Sequence, residues 1–393
     1  MKKILSLFLA ILMCALFLSA CGGKNVTLTV WCAQMDKEMI TKMVDAFMAT
    51  RPAVKGIEII VCEDDNARES IEESPSSAAD VFCIPHDQLG ALVAQNHVLE
   101  ITDDRYLNAI GLNTAPSVNA GQFNGKQYGF PSSFETHMLF YDKSIVTDDA
   151  AKSMDGILGS TLPNDGYHFA MDFGNAYFSA NWFFTYGCSL FGENGEDSGF
   201  CDFDSPGGIS AMTYLISHRG MFCDLNTDEA MELFREHKLA SYVGGPWDAG
   251  NIMRALGGNY GCAALPYVTG IPMRSFAGFK LYCVNTDTKN RAVAMDLAAW
   301  LTNTDNQKTR FQDRSLIPVA TQLADDADVA VSTTAKAIMG QGPNAIAMPS
   351  IPEMSNFWTP TGALTLACFE GEVAIQDLPA ELTALAAAIR SSG

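Results

Sequence analysis

Residues 26–62 constrain the fold more than any other stretch of the chain. Residues 26–31 alternate apolar and polar side chains, the period of a strand with one buried face. Residues 36–50 carry Met39, Ile40, Met43 and Phe47 at a spacing that lines one side of a helix. Residues 57–62 (IEIIVC) are a second apolar strand. Strand, helix and strand within about 35 residues have the length of a parallel crossover. Residues 80–84 (DVFCI) add a third short run, broken by Pro85-His86-Asp87, with a helix predicted from about Asp87. Brief strands alternating with helices make the class α/β.

The pattern restarts further on. Residues 167–171 read as a strand, and 176–186, 207–219 and 227–237 as helices, the last capped by Thr227 or Asp228. Residues 239–243 form a strand running into Gly244-Gly245-Pro246-Trp247, and 291–302 and 380–389 are helices. Residues 348–358 read as a proline-punctuated loop. Behind the N-terminal leader, about 370 residues exceed one ordinary domain, so two lobes are expected.

That leader is legible. Lys2 and Lys3 precede an uncharged run over residues 4–18, which is shorter than the roughly 20 residues of a spanning helix. Leu18-Ser19-Ala20-Cys21 resembles the lipobox of bacterial lipoproteins, whose cysteine takes a diacylglycerol and becomes the new N-terminus. The expectation is a signal peptide over 1–20, lipid on Cys21, a tether over 21–25, and a body held on the extracytoplasmic face of the cell membrane. Two acyl chains hold stably where one is marginal, each buried methylene contributing about 0.8 kcal/mol. A plain secretory signal with a chance cysteine, or a retained anchor helix, is the alternative.

Formal charge is -20, and losing Lys2 and Lys3 with the leader takes it to -22. Nucleic acid, whose phosphates require a basic surface, is excluded as a partner. Besides Cys14 and Cys21 there are nine widely spaced cysteines and no Cys-x-x-Cys, so zinc and redox motifs fail and buried free thiols are expected. Phosphate-loop, Gly-x-Gly-x-x-Gly, Gly-x-Ser-x-Gly, His-Glu-x-x-His and EF-hand patterns are all missing, so no cofactor, metal or catalytic residue is implied. A glycosidase stays open, because its two carboxylates carry no readable spacing.

Three segments combine turn residues with aromatics: 175–178 (NAYF), 244–247 (GGPW) and 348–358 (MPSIPEMSNFW). A rigid ring face suits the C–H face of a sugar, with carboxylates and amides for its hydroxyls. The same rings could equally plug a core.

These segments, in this order, resemble the maltose/maltodextrin-binding proteins, the sugar receptors of ABC importers. The resemblance runs through Val30-Trp31 and Asp36-Lys37, Asp80-Val81-Phe82 to His86-Asp87 and Gly90, and Gly129-Phe130-Pro131 to Glu135 and Lys143. It continues through Gly245-Pro246-Trp247 and the specific run from Met348 to Trp358. It implies two α/β lobes of the periplasmic-binding-protein type, joined by three hinge crossovers with the ligand cleft between them. The lobes would comprise 26–135 with 278–320, and 136–277 with 321–393. It implies sugar contacts at Asp36, Lys37, Asp87, Glu135, Tyr177, Trp247, Met348 and Trp358. Where the family has an N-lobe stacking Trp, an Arg, a C-lobe Glu and a further Arg, this chain has Ile84, Gln88, Asn175 and Gly362, so its N-lobe wall is expected to be less aromatic and less charged.

The implied function is recognition without chemistry: a monomeric, lipid-anchored receptor that binds an oligosaccharide, most simply maltose or maltodextrin, and delivers it to permease subunits. A lipid-anchored glycoside hydrolase using Glu135 and Asp87, or a sugar sensor or adhesin on the same fold, are the alternative readings.

Overall fold

The computed structural model describes residues 25–390 apart from Asn164. Cys21 and the leader lie outside the described residues.

Two sheets dominate. In chain order their strands are β1 (Val26–Cys32), β2 (Val54–Val61), β3 (Val81–Pro85), β4 (Phe130–Thr136), β5 (Met138–Asp142) and β6 (Phe169–Met171). They continue as β7 (Phe222–Asp224), β8 (Ser241–Gly244), β9 (Tyr260–Ala263), β10 (Ser275–Val284) and β11 (Ala345–Ala347). The first sheet runs β11-β10-β3-β1-β2, with β4 also paired to β10. The second runs β9-β5-β8-β6-β7.

The predicted crossover forms. β1 and β2 are parallel, with Val30 opposite Ile59, and the intervening helix Lys37–Ala49 buries Met39, Ile40, Met43, Val44 and Phe47. Those side chains pack on Leu28, Val30 and Cys32 of β1. Strand alternation sends Trp31, Phe82 and Ile84 to the other face, where they form a separate core. Each such buried side chain contributes about 1.5–3 kcal/mol. Two further cores cover the faces of the second sheet: Phe169 and Met171 join one, and Ala170 between them joins the other. Helix Ala176–Thr185 is buried on nearly every side, which is why it reads as uniformly apolar. Two sheets, each with helices on its faces, give the two-lobed α/β architecture.

Two expectations are corrected. Helix Thr227–Arg235 is capped by Asn226, not by Thr227 or Asp228. The Asn226 side chain accepts from the Glu229 amide at 3.1 Å, and Glu229 accepts from the Asn226 amide at 3.0 Å. This reciprocal pair settles the helix start one residue earlier than propensity alone. Residues 348–358 are not one loop either: a tight turn spans Pro352–Met354 and helix Ser355–Glu370 follows at once. Pro352 opens that turn, where a missing N–H loses no bond. Phe357 and Trp358 are therefore borne on a helix.

The chain leaves the first sheet at Thr136, passes through the buried His137 and enters the second at Met138. It returns between Ala263 and Ser275. No helix of the described residues is long and apolar enough to cross a membrane.

Candidate functional site

Parallel strands of both sheets end at one cavity of about 870 Å³. Asp36 follows β1, Asp64 follows β2 and Asp87 follows β3; Tyr177 follows β6, Thr227 follows β7 and Trp247 follows β8. Open α/β sheets bind ligands at the carboxyl ends of their strands, and the volume is that of a ligand site between domains.

Seven of the eight predicted contact residues line this cavity: Asp36, Asp87, Glu135, Tyr177, Trp247, Met348 and Trp358. Lys37 does not. It is the exposed first residue of helix Lys37–Ala49 and is absent from the lining. One step along a helix rotates the side chain by about 100°, and here that step turns Lys37 out to solvent.

The second lobe supplies rings. Tyr177 stacks on Phe276 at 6.2 Å between centroids and 12° between planes, and lies 6.2 Å from Trp247. Trp358 sits 6.0 Å from Phe276. Asn175 caps the Tyr177 helix by accepting from the Tyr177 amide at 3.0 Å. Trp247 is fixed by its turn: Asp248 accepts from the Gly245 amide at 3.0 Å and from Thr227 Oγ1 at 2.9 Å. A Cβ at residue 245 would meet the indole at 2.2 Å, so glycine there lets the ring lie over the backbone.

The first lobe supplies charge. Asp36 is held by Arg314 at 2.8 Å, a partner 278 residues away. Lys280 of β10 reaches Asp64 at 3.3 Å and Glu135 at 3.9 Å. Arg310 is 2 % exposed and lies over Tyr282 at 4.9 Å. Lys280, Arg310 and Arg314 all line the cavity, and sequence reasoning missed all three. One signal was available: Lys280 is the single charged residue of an otherwise mostly apolar ten-residue strand. These cations arrive from distant segments, so the first-lobe wall carries charge that Ile84 and Gln88 do not supply.

Burial governs the titration of this wall. It pushes the Asp87 carboxyl up to about 6, against the opposing pull of a backbone N–H and Lys280. Asp87 Oδ1 is buried without a hydrogen-bond partner among the described residues. Glu135 is also raised by burial, to about 7, with Lys280 pulling it down. His86 anchors Met348: its Nε2–H donates to the Met348 carbonyl at 3.0 Å and its Nδ1 accepts from the Phe279 amide at 3.2 Å. Burial lowers its pKa to about 4, so it stays neutral in that bridge.

A stability experiment follows. Folded Glu135 keeps its proton from about pH 4.5 to about 7, where the unfolded chain has released it. Its contribution to stability is thus greatest at the acid end of that window and is lost as pH rises. The melting temperature of the parent minus that of Glu135→Gln is expected to fall by a few °C between about pH 5 and pH 8. A flat difference would mean that Glu135 titrates in the ordinary range.

The sequence pattern of the bacterial extracellular solute-binding proteins matches residues 42–338, most of the chain. The chain belongs to that family. As a solute-binding protein it is 28% identical over 389 residues to the galactooligosaccharide-binding protein of Bacillus subtilis (strain 168), covering 92% of this chain and 91% of that one. It is 28% identical over 373 residues to the maltodextrin-binding protein MdxE of the same organism, covering 90% and 87%. Among solved structures, the maltodextrin binding protein MalE1 from L. casei BL23, without ligand, superposes with a TM-score of 0.81 at 25% identity, covering 94% of this chain and all of that one.

The four positions singled out in the sequence of this solute-binding protein, Ile84, Gln88, Asn175 and Gly362, each have a structural place. Ile84 packs into the first-lobe core with Trp31 and Phe82. Gln88 lines the cavity and donates to the Asp65 carbonyl at 2.7 Å. Asn175 caps a helix. Gly362 lies against the backbone of Gly174, where a Cβ would come within 2.1 Å of the carbonyl oxygen; a larger residue cannot fit without moving the helix.

All nine cysteines of the described residues are free, and six of them are buried.

Proposed function

We propose that this protein is the substrate-binding lipoprotein of an ABC importer, binding an oligosaccharide of the α-1,4-glucan class in the cleft and passing it to a membrane permease. The observation that carries this reading is the two-faced cavity, with Tyr177, Trp247 and Trp358 on one wall and Asp36, Asp87 and Glu135 on the other. Rings bury the C–H face of a sugar, and the carboxylates bond its hydroxyls. Micromolar affinity needs about -8 kcal/mol. Several charge-assisted hydrogen bonds at about 1.5–3 kcal/mol each, added to three ring contacts, can supply that and still cover the ordering of the ligand.

The lobes, taken as 26–135 with 278–320 and 136–277 with 321–393, close on the sugar by hinge motion. A diacylglycerol on Cys21 holds the protein as a monomer on the extracytoplasmic face, beside its permease. A lipobox-like run ahead of a tether of a few residues supports that placement.

One relative is named for galactooligosaccharides, which gives the screen a second arm. Thermal shift is measured with maltose, maltotriose, longer maltodextrins and galactooligosaccharides. A ligand at a hundredfold excess over Kd stabilises by about 2.7 kcal/mol. Stabilisation by maltotriose supports the glucan class; stabilisation by galactooligosaccharides alone replaces it. No shift with any oligosaccharide, or steady release of reducing sugar during incubation, overturns the receptor reading.

A further inference from the structure

We propose that Lys280 is a positioning residue of the cleft floor: it compensates the charge of Glu135 without occupying its oxygens, and so lets Glu135 become an ionised acceptor for ligand hydroxyls at a lower pH than burial alone would allow. This rests on the sugar-binding reading of the cleft.

The geometry comes from three segments. β10 carries Lys280 opposite Ser133 of β4 and Pro85 of β3. β4 carries Glu135, and the turn after β2 carries Asp64. Lys280 Nζ is 3.3 Å from Asp64 Oδ2 but 3.9 Å from Glu135 Oε2. The first is the closer ion pair. The second is an ion pair beyond hydrogen-bond reach. Glu135 therefore gains the field of the ammonium while its lone pairs stay open to the cavity it lines.

The ammonium has three protons and two carboxylate neighbours, which leaves donor capacity for the accepting side of a hydroxyl. It also repels a ligand amine from the same spot. Asp87, whose Oδ1 lacks a partner, completes a floor of open acceptors. Asp64, Glu135, Cys83 of β3 and Tyr177 all act on Lys280, and Lys280 acts in turn on Asp87. Asp36 and Asp64 further oppose the ionisation of Glu135. Remove the ammonium, and burial together with these carboxylates keeps Glu135 a neutral acid to higher pH, with a proton of its own on the floor.

The test uses the full chain. In ligand-free protein, carboxyl-carbon NMR titration follows Glu135, assigned with Glu135→Gln. In Lys280→Met its midpoint is expected to rise by about one pH unit or more; an unchanged midpoint overturns the proposal. With maltotriose as probe, Lys280→Met is expected to weaken binding about tenfold at about pH 8, where parental Glu135 is ionised. Lys280→Arg restores most of the loss, and in the Glu135→Gln background Lys280→Met changes little. An equal loss at every pH and in both backgrounds means that Lys280 acts independently of Glu135, and also overturns the proposal. Should the parent protein bind no oligosaccharide, the receptor reading fails by itself, and the ligand-free titration still decides whether Lys280 sets the state of Glu135.

Discussion

Trp247→Ala is expected to weaken oligosaccharide binding tenfold or more, a loss of about 1.4 kcal/mol. The indole lies in the Pro246–Asp248 turn, over Gly245 and 6.2 Å from Tyr177. Its backbone is held by Asp248 and Thr227, which alanine leaves untouched. The fold should therefore persist while one of three ring faces disappears. Calorimetric titration of parent and variant measures the effect. Lys37→Ala, exposed and outside the cavity, is the matched control and should leave affinity unchanged. Equal affinities for Trp247→Ala and the parent would remove this cavity as the sugar site.

Gly362→Ala is expected to destabilise the protein by about 1–3 kcal/mol, the usual cost of forcing atoms into a packed interface. The added methyl would meet the Gly174 carbonyl oxygen at 2.1 Å and the Ala176 nitrogen at 3.4 Å. Both are backbone atoms, so no side-chain rotation relieves the clash. Helix Ser355–Glu370 must then move away from the segment that precedes Tyr177. Trp358 lies four residues before Gly362, on the same helix face, so the ring wall should loosen together with the fold. Melting temperature and affinity should fall together. Gly220→Ala, with nothing within 4 Å, is the control and should stay within about 0.5 kcal/mol. A Gly362→Ala protein with parental stability would mean that the helix yields freely at this contact.

The legibility of the site divides along a physical line. Asp87 follows a strand whose end is marked by Pro85, and Trp247 sits in a Gly-Gly-Pro-Trp turn; local chemistry announces both. Tyr177 and Trp358 were legible as aromatics beside turn residues. The helix carrying Trp358 was not, because the prolines of the 348–358 run also suit the start of a helix. Lys280, Arg310 and Arg314 gave almost no local signal. Their partners lie elsewhere in the chain: Arg314 finds Asp36 across 278 residues, and Lys280 on β10 finds Asp64 after β2 and Glu135 on β4.

By itself, the sequence determined the α/β class, the parallel crossover over residues 26–62 and the order of the ring-bearing segments, because hydrophobic period and turn chemistry act between near neighbours. The tertiary structure alone decided that Lys37 stays outside the cleft, that Gly362 sits against backbone, and that three cations stand among the carboxylates. Those outcomes depend on where sheets and helices pack, and the charge state of a buried carboxyl follows from the groups that packing brings within a few ångströms of it.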